Sequence, residues 1–115
     1  MRVHDFFELA KRVAIGKHDK RNHQLAAVGV RSDGAIVWSP NGPTPIPNGA
    51  VHAEQRCLNK MGYGAKAIYV ARIRKIDGSF GLAKPCFRCM AHIIAKGVKR
   101  VYFTVNNHEH GVITL

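Results

Sequence analysis

Two cysteines three positions apart could form a disulfide, act as a redox pair or bind a metal ion. Cys86 and Cys89 follow Pro85 in the stretch "AKPCFRCM" and precede an apolar run. Pro85 holds the chain extended before a helix begins, and positions i and i+3 of a helix share a face. A helix N-terminus favours thiolate over thiol, and the thiolate is the form that binds Zn²⁺. Two thiolates do not complete a tetrahedral site, so other ligands must come from elsewhere in the chain.

A histidine and a glutamate lie at the start of another predicted helix, in the stretch "AVHAEQRC". His52 is a suitable third zinc ligand, and Glu54 can reach the fourth position without filling it. An open fourth position holds water, whose pKa zinc lowers toward ~7. A carboxylate beside that water can take its proton and pass it on. These residues therefore predict hydrolytic chemistry, for which a purely structural zinc site has no use.

The two stretches together carry a resemblance to a known family. The triplet H-A-E at 52–54 and the segment P-C-F-R-C at 85–89 match the H-x-E…P-C-x-x-C signature of zinc nucleobase deaminases. The order of predicted elements also resembles the cytidine deaminase fold over essentially the whole chain. The resemblance implies Glu54 as the proton shuttle in hydrolytic deamination at C4 of cytosine or C6 of adenine. It implies three ligands for Zn²⁺: His52, Cys86 and Cys89.

The resemblance also bears on the substrate. It implies substrate contacts from Asn41, which follows the second predicted strand in "WSPN", and from the peptide at Ala53. Free-cytidine deaminases typically have Cys where this chain has His52, which favours the deoxycytidylate and polynucleotide branches. The tRNA adenosine deaminases have a helix between the last two strands and a further C-terminal helix. This sequence has room for neither before Leu115, which counts against adenine as the target.

Composition and charge bound the class of protein. The 115 residues suit one domain, here predicted as a single deaminase domain over 1–115. Eighteen Lys and Arg against seven Asp and Glu give a formal charge of +11, which predicts attraction to phosphate-bearing partners. The chain shows no apolar run of the ~20 residues that span a bilayer and no signal-peptide layout, so a reducing, cytoplasmic location without membrane contact is expected.

The apolar periodicity predicts an alternation of helices and strands. Helices are predicted at 5–16, 51–61 and 86–96, and strands at 25–31, 35–38, 66–74, 100–105 and 111–115. This order predicts a three-layer α/β/α fold with a five-stranded mixed sheet, and the short "NNHEH" link makes the last two strands antiparallel. Asp5 is expected to cap the first helix and Gly16 to end it, and Ile94 is expected on the inward face of the third. The Pro-rich segment 39–49 is predicted to be a stiff loop.

Several alternatives stay open at this point. A redox pair of the thioredoxin type would follow a first strand and need no His-Ala-Glu partner. A structural zinc site would need a fourth ligand, and the remaining thiol, Cys57, is expected to pack in the core. Core positions are also expected for three strand aromatics: Tyr69, Tyr102 and Phe103. Trp38 and Phe87 flank the predicted pocket and could contact substrate.

The leading hypothesis is zinc-dependent deamination of cytosine to uracil in a small pyrimidine nucleotide or nucleoside. The alternative enzyme acts on cytosine, less readily adenine, in single-stranded DNA or RNA, with the charge of +11 as an electrostatic track. The non-enzymatic alternative is a nucleic-acid-binding domain with a structural zinc ion. A homo-oligomer is expected in either enzyme case, because small deaminases of this kind usually assemble.

Overall fold

The computed structural model describes residues 2–15, 23–40, 53–62, 64–74 and 76–115. The helices in these ranges are α1 (Val3–Ile15), α2 (Ala53–Met61) and α3 (Phe87–Ala95). The strands are β1 (His23–Arg31), β2 (Ile36–Pro40), β3 (Ala65–Arg74), β4 (Phe80–Gly81), β5 (Arg100–Thr104) and β6 (His110–Thr114). Within these ranges, every helix is too short or too polar to cross a membrane.

The strands form one mixed sheet. Its order is β2-β1-β3-β5-β6, with β4 paired to β3 outside this path. The strands β3 and β5 are parallel, and the other pairs, including β5 with β6, are antiparallel. The mixed sheet and its antiparallel last pair are as predicted. The two-residue strand β4 was not predicted, because so short a segment shows no periodicity.

Helices cover both faces of the sheet, which confirms the three-layer α/β/α architecture. One face packs against α1 through a cluster that includes Phe6, Ala10, Val28 and Tyr69. The other face packs against α2 and α3 through a cluster that includes Leu58, Met61, Ile68, Ile93 and Val101. Because every helix uses a stripe of apolar residues, its polar side is left to solvent.

The first helix starts earlier than its predicted cap. It begins at Val3, so Asp5 lies inside the first turn. The Asp5 carboxylate accepts a hydrogen bond of 2.8 Å from the N–H of Arg2, which is otherwise unpaired at a helix start. In a capping box, the side chain at the third helical position accepts a hydrogen bond from the N-cap N–H. Asp5 makes this bond and so stabilises the helix N-terminus. The predicted end at Gly16 lies outside the described residues.

The second strand is longer than predicted and takes in part of the Pro-rich segment. Ser39 and Pro40 pair with Ala27 and Ala26 of β1. In the described sheet β2 is an edge strand, which is where a proline without an N–H is tolerated. The rest of the predicted loop, 41–49, lies outside the described residues.

A close approach of helix to strand fixes α2 over the sheet. A Cβ placed on Gly29 of β1 would lie 2.3 Å from Met61 Sδ and 2.9 Å from Cys57 Sγ. Both distances are shorter than van der Waals contact, so this position accepts no side chain while α2 stays where it is. The helix that carries Glu54 at its other end is therefore seated directly on the backbone of β1.

Candidate active site

The N-terminus of α3 holds both cysteines of the C-x-x-C segment. Cys86 is the N-cap residue rather than part of the first turn, with extended backbone (φ −70°, ψ 167°). Its Sγ accepts a hydrogen bond of 3.5 Å from the N–H of Cys89. Cys86 is exposed, whereas Cys89 is completely buried. The helix start thus presents two sulfurs at different depths, one at the surface and one in the interior.

The segment before α3 is anchored to the sheet. The N–H of Ala83 donates to the carbonyl of Thr104, at the end of β5, over 2.9 Å. The Thr104 hydroxyl donates to the carbonyl of Gly81 over 2.7 Å and accepts from the N–H of Arg72 over 3.2 Å. These bonds fix the path from β4 to Cys86, so the cysteines are positioned by the carboxyl ends of β3 and β5.

Glu54 lies in the first turn of α2 and is 4% exposed. Its Oε1 atom is buried and has no hydrogen-bond partner among the residues that the structure describes. Burying an acceptor without a partner is unfavourable, so native proteins rarely do it where no ligand or water binds. The helix α2 leads into β3 and α3 follows it, and the two helices pack together. Their N-termini therefore share the edge of the sheet where β3 ends.

Glu54 and the cysteine pair act on one another electrostatically. Burial raises the pKa of the Cys89 thiol, and the negative carboxylate of Glu54 and the neighbouring Cys86 raise it further. A buried carboxylate and a neighbouring thiolate repel each other when both are negatively charged. A bound cation removes this repulsion. Cysteine sulfur is a preferred ligand for Zn²⁺, and the Glu54 carboxylate is close enough to the Cys89 sulfur to act on it without being needed as a ligand. The donor set fits a zinc ion.

The predicted site is only partly visible in the described residues. Those residues alone do not bring three metal-binding side chains together. The predicted third ligand, His52, and the predicted substrate contact, Asn41, lie outside the described residues. Ala53 is the first residue of α2, one position before Glu54, as the motif requires.

Cys57 packs in the core, as predicted. It is completely buried, and its Sγ lies 3.9 Å from the carbonyl oxygen of Val37 on β2. Burial raises the pKa of its thiol to about 12, so it stays protonated and is a poor metal ligand. All three cysteines belong to the described part of the chain, and none forms a disulfide bond. The burial and the raised pKa of Cys57 count against it as a fourth zinc ligand.

Two basic side chains of α2, which the sequence analysis did not single out, hold the helix beside the end of β2. Arg56 Nη1 donates to the carbonyl of Pro40 over 3.2 Å, and Lys60 Nζ donates to the carbonyl of Trp38 over 2.8 Å. Ser39, between Trp38 and Pro40, is completely buried, and its hydroxyl has no hydrogen-bond partner among the described residues. No sequence signal could have identified these contacts, because basic residues on a helix are usually solvated. These contacts hold α2 against the last residues of β2.

The two aromatic residues predicted beside the pocket are accessible. Phe87, which directly follows Cys86, is 92% exposed, and Trp38 is 48% exposed. A side chain as apolar as phenylalanine is rarely left so open without a partner. Both remain candidates for contact with a substrate or with another subunit.

Comparison with known proteins agrees with this geometry. Residues 1–105 match the family model of the cytidine and deoxycytidylate deaminase zinc-binding region. A comparison with curated protein sequences returned no match. Among solved structures, the chain is similar to the cytidine deaminase from Burkholderia pseudomallei, with 23% identity and a TM-score of 0.80 over 99% of this chain and 93% of that one.

Two further solved structures share the fold. The cytidine deaminase from Bacillus anthracis is 14% identical, with a TM-score of 0.71 over 98% of this chain and 81% of that one. The cytidine deaminase from Mycobacterium leprae is 17% identical, with a TM-score of 0.70 over 97% of this chain and 93% of that one. At these identities the likeness establishes the fold, and the family match establishes the class of chemistry.

The matched region includes both motifs, the buried carboxylate and the cysteine pair. The family is one of enzymes, so the non-enzymatic alternative is not retained. The chain belongs to the cytidine and deoxycytidylate deaminase family and is a zinc-dependent hydrolase that acts on the exocyclic amine of a nucleobase.

Proposed function

We propose that this protein deaminates cytosine to uracil in a small pyrimidine nucleotide or nucleoside, as one deaminase domain spanning residues 1–115. The observation that carries the proposal is the buried Oε1 of Glu54. This atom has no hydrogen-bond partner within the described ranges, and it lies on the helix that packs against α3, whose N-cap is Cys86. A base catalyst needs a free acceptor atom next to the proton that it removes. Membership of the family supports the reaction class.

The proposed roles divide between binding the metal and moving a proton. His52, Cys86 and Cys89 hold Zn²⁺, which when bound supplies Lewis-acid activation of water. Glu54 Oε1 takes a proton from the attacking water and delivers it to the departing amine, so that cytosine and water give uracil and ammonia. Asn41 and the peptide at Ala53 contact the substrate and hold its cytosine ring next to Glu54.

A second candidate substrate is cytosine, less readily adenine, within single-stranded DNA or RNA. The formal charge of +11 favours it, because a polyanion gains from many cations at once. Lys84 and Arg88 are both exposed and lie on either side of Cys86. A cation in the first turn of a helix is disfavoured by the helix dipole, which supports a binding role for Arg88.

A substrate panel at two salt concentrations separates the candidates. Cytidine, deoxycytidine, their monophosphates and a cytosine-containing oligonucleotide are incubated with the zinc-loaded protein, and uracil products are quantified. We expect turnover of a small substrate that changes less than about threefold between low and physiological salt, since few phosphates are contacted. Turnover of the oligonucleotide alone, falling about tenfold or more with salt, would contradict the proposal and support the polynucleotide candidate.

We also propose that the protein is a homo-oligomer. The outer side of α3 and the segment before it carry three exposed apolar side chains: Leu82 at 56%, Phe87 at 92% and Ile94 at 58%. Exposed apolar groups clustered on one element mark an interaction surface. We expect light scattering after size exclusion to give a mass of at least two chains, and replacing Phe87 with Ser to lower it. A monomer at micromolar concentration would contradict this proposal.

The cytoplasmic location stays a prediction.

A further inference from the structure

A cavity of about 560 Å³ opens on the α1 face of the sheet, at the edge where β3 and β5 begin. The residues lining it that matter here are Phe6, Tyr69, Tyr102, Lys66, Lys99 and Arg100. We call it the basic aromatic cavity. It combines rings and cations, which is the combination that proteins use to bind single-stranded nucleic acid.

The rings of the cavity form a continuous stack. Phe6 and Tyr69 stack with centroids 4.3 Å apart, and Tyr69 and Tyr102 stack with centroids 4.5 Å apart and planes 7° from parallel. Phe6 and Tyr69 are buried, whereas Tyr102 is half-buried. The prediction that Tyr102 belongs to the core is therefore only partly right. The stack ends at a ring that solvent reaches.

Incomplete cover by α1 explains this exposure. The helix α1 packs against β1, β2 and β3. Tyr102 lies on β5, opposite Val112 of β6, and Val112 is 48% exposed. Directly opposite residues of an antiparallel pair point to the same face. Within the described part of the chain, Tyr102 and Val112 thus form an accessible apolar surface next to the cavity.

The backbone that carries the cations around this surface is held by hydrogen bonds of the sheet. The N–H of Lys99 donates to the carbonyl of Lys66 over 2.9 Å, and Arg100 lies opposite Ala67 in the parallel pair. Arg100 Nη1 also donates to the Tyr102 hydroxyl over 3.5 Å, which places a guanidinium beside the last ring. Lys66, Lys99 and Arg100 are exposed. Among the described residues, no acidic side chain lines the cavity.

The cavity is separate from the active site. Glu54 and Cys86 lie at helix starts near the edge where β3 ends, on the α2 and α3 face. The basic aromatic cavity lies at the edge where β3 begins, on the α1 face. A ligand in the cavity therefore does not occupy the position of a substrate base.

We propose that the basic aromatic cavity binds single-stranded nucleic acid independently of catalysis. A base stacks at Tyr102, and neighbouring phosphates pair with Lys66, Lys99 and Arg100. A single strand fits better than a duplex, because only unstacked bases can reach a ring. A second copy of the chain is disfavoured as the occupant, since each copy carries a charge of +11 and the rim is cationic.

Binding of a fluorescent oligothymidylate of about fifteen nucleotides to the full chain tests this proposal, with anisotropy as the readout. The oligomer holds neither cytosine nor adenine, so it is not a substrate. We expect Tyr102→Leu to weaken binding about tenfold and Tyr102→Phe to bind like wild type. We expect the double variant Lys99→Gln/Arg100→Gln to weaken binding about tenfold and to reduce the salt slope by ~1.4, for two lost phosphate contacts.

The matched control removes the same charge elsewhere. Arg2 and Arg12 are exposed and lie outside the cavity lining, so Arg2→Gln/Arg12→Gln should weaken binding less than about threefold. Glu54→Ala should bind like wild type, whatever the outcome of the substrate panel. Equal losses in the two double variants, or wild-type binding by Tyr102→Leu with an unchanged thermal midpoint, would overturn the proposal.

Discussion

Replacing Glu54 with alanine is expected to lower the deamination rate by about 10²–10⁴-fold while the protein stays folded and keeps its zinc. Glu54 is the only buried acidic residue in the described ranges, so no other described carboxylate can substitute for it. Its Oε1 has no hydrogen-bond partner in the described part of the chain, so the truncation breaks no described bond at that atom. We expect the thermal midpoint of the zinc-free variant to match or exceed that of the wild type, because a buried, unpaired acceptor is removed.

Two comparisons make this result specific. Glu8, on the outer side of α1, is partly exposed and far from α2 in the chain, and Glu8→Ala should retain full activity. Zinc content, measured per chain by mass spectrometry, separates a proton shuttle from a ligand. Loss of zinc in Glu54→Ala would make Glu54 a ligand, and unchanged turnover would remove it from the mechanism.

The chemistry of the site could be predicted from the sequence because it depends on short spacings. The interval from Cys86 to Cys89 and the triplet 52–54 are each about the length of one helical turn or less, and over such a length local geometry decides which groups can meet. The packing of α2 against α3 could not be derived from either motif. It depends on contacts such as that of α2 with Gly29, between residues far apart in the chain.

The helices and strands could be predicted from the sequence. The exposure of individual side chains was predicted wrongly where it depends on how neighbouring elements pack. Ile94 was expected to face inward and is 58% exposed, because an apolar stripe gives the direction of a helix face but not its tilt over the sheet. Tyr102 is half-buried because α1 packs mainly against β1, β2 and β3, although its Phe7 ring also lies 5.8 Å from the ring of His110 on β6. How far a helix extends over a sheet depends on how the two elements pack, and the apolar pattern of the helix alone does not give it.

A pair of cysteine variants gives the second large effect. Cys57 and Cys89 are both completely buried, so replacing either with alanine removes the same sulfur from the interior. We expect Cys89→Ala to weaken zinc binding by more than about 100-fold, since a direct ligand should matter more than the supporting groups whose loss costs ~10–100-fold. Turnover should fall with the bound zinc. Cys57→Ala should keep its zinc and its activity, with a lower thermal midpoint from the cavity left under α2.

Metal-dependent stabilisation distinguishes these roles without relying on activity. A metal that binds only the folded state raises the thermal midpoint by mass action. Added Zn²⁺ should therefore raise the midpoint of the wild type and of Cys57→Ala, and should leave that of Cys89→Ala nearly unchanged. Because both variants lose a buried sulfur, a general packing defect would lower both responses alike. Equal zinc responses in the two variants would mean that Cys89 is not a ligand, and the metal centre would then have to be built without the interior end of the C-x-x-C segment.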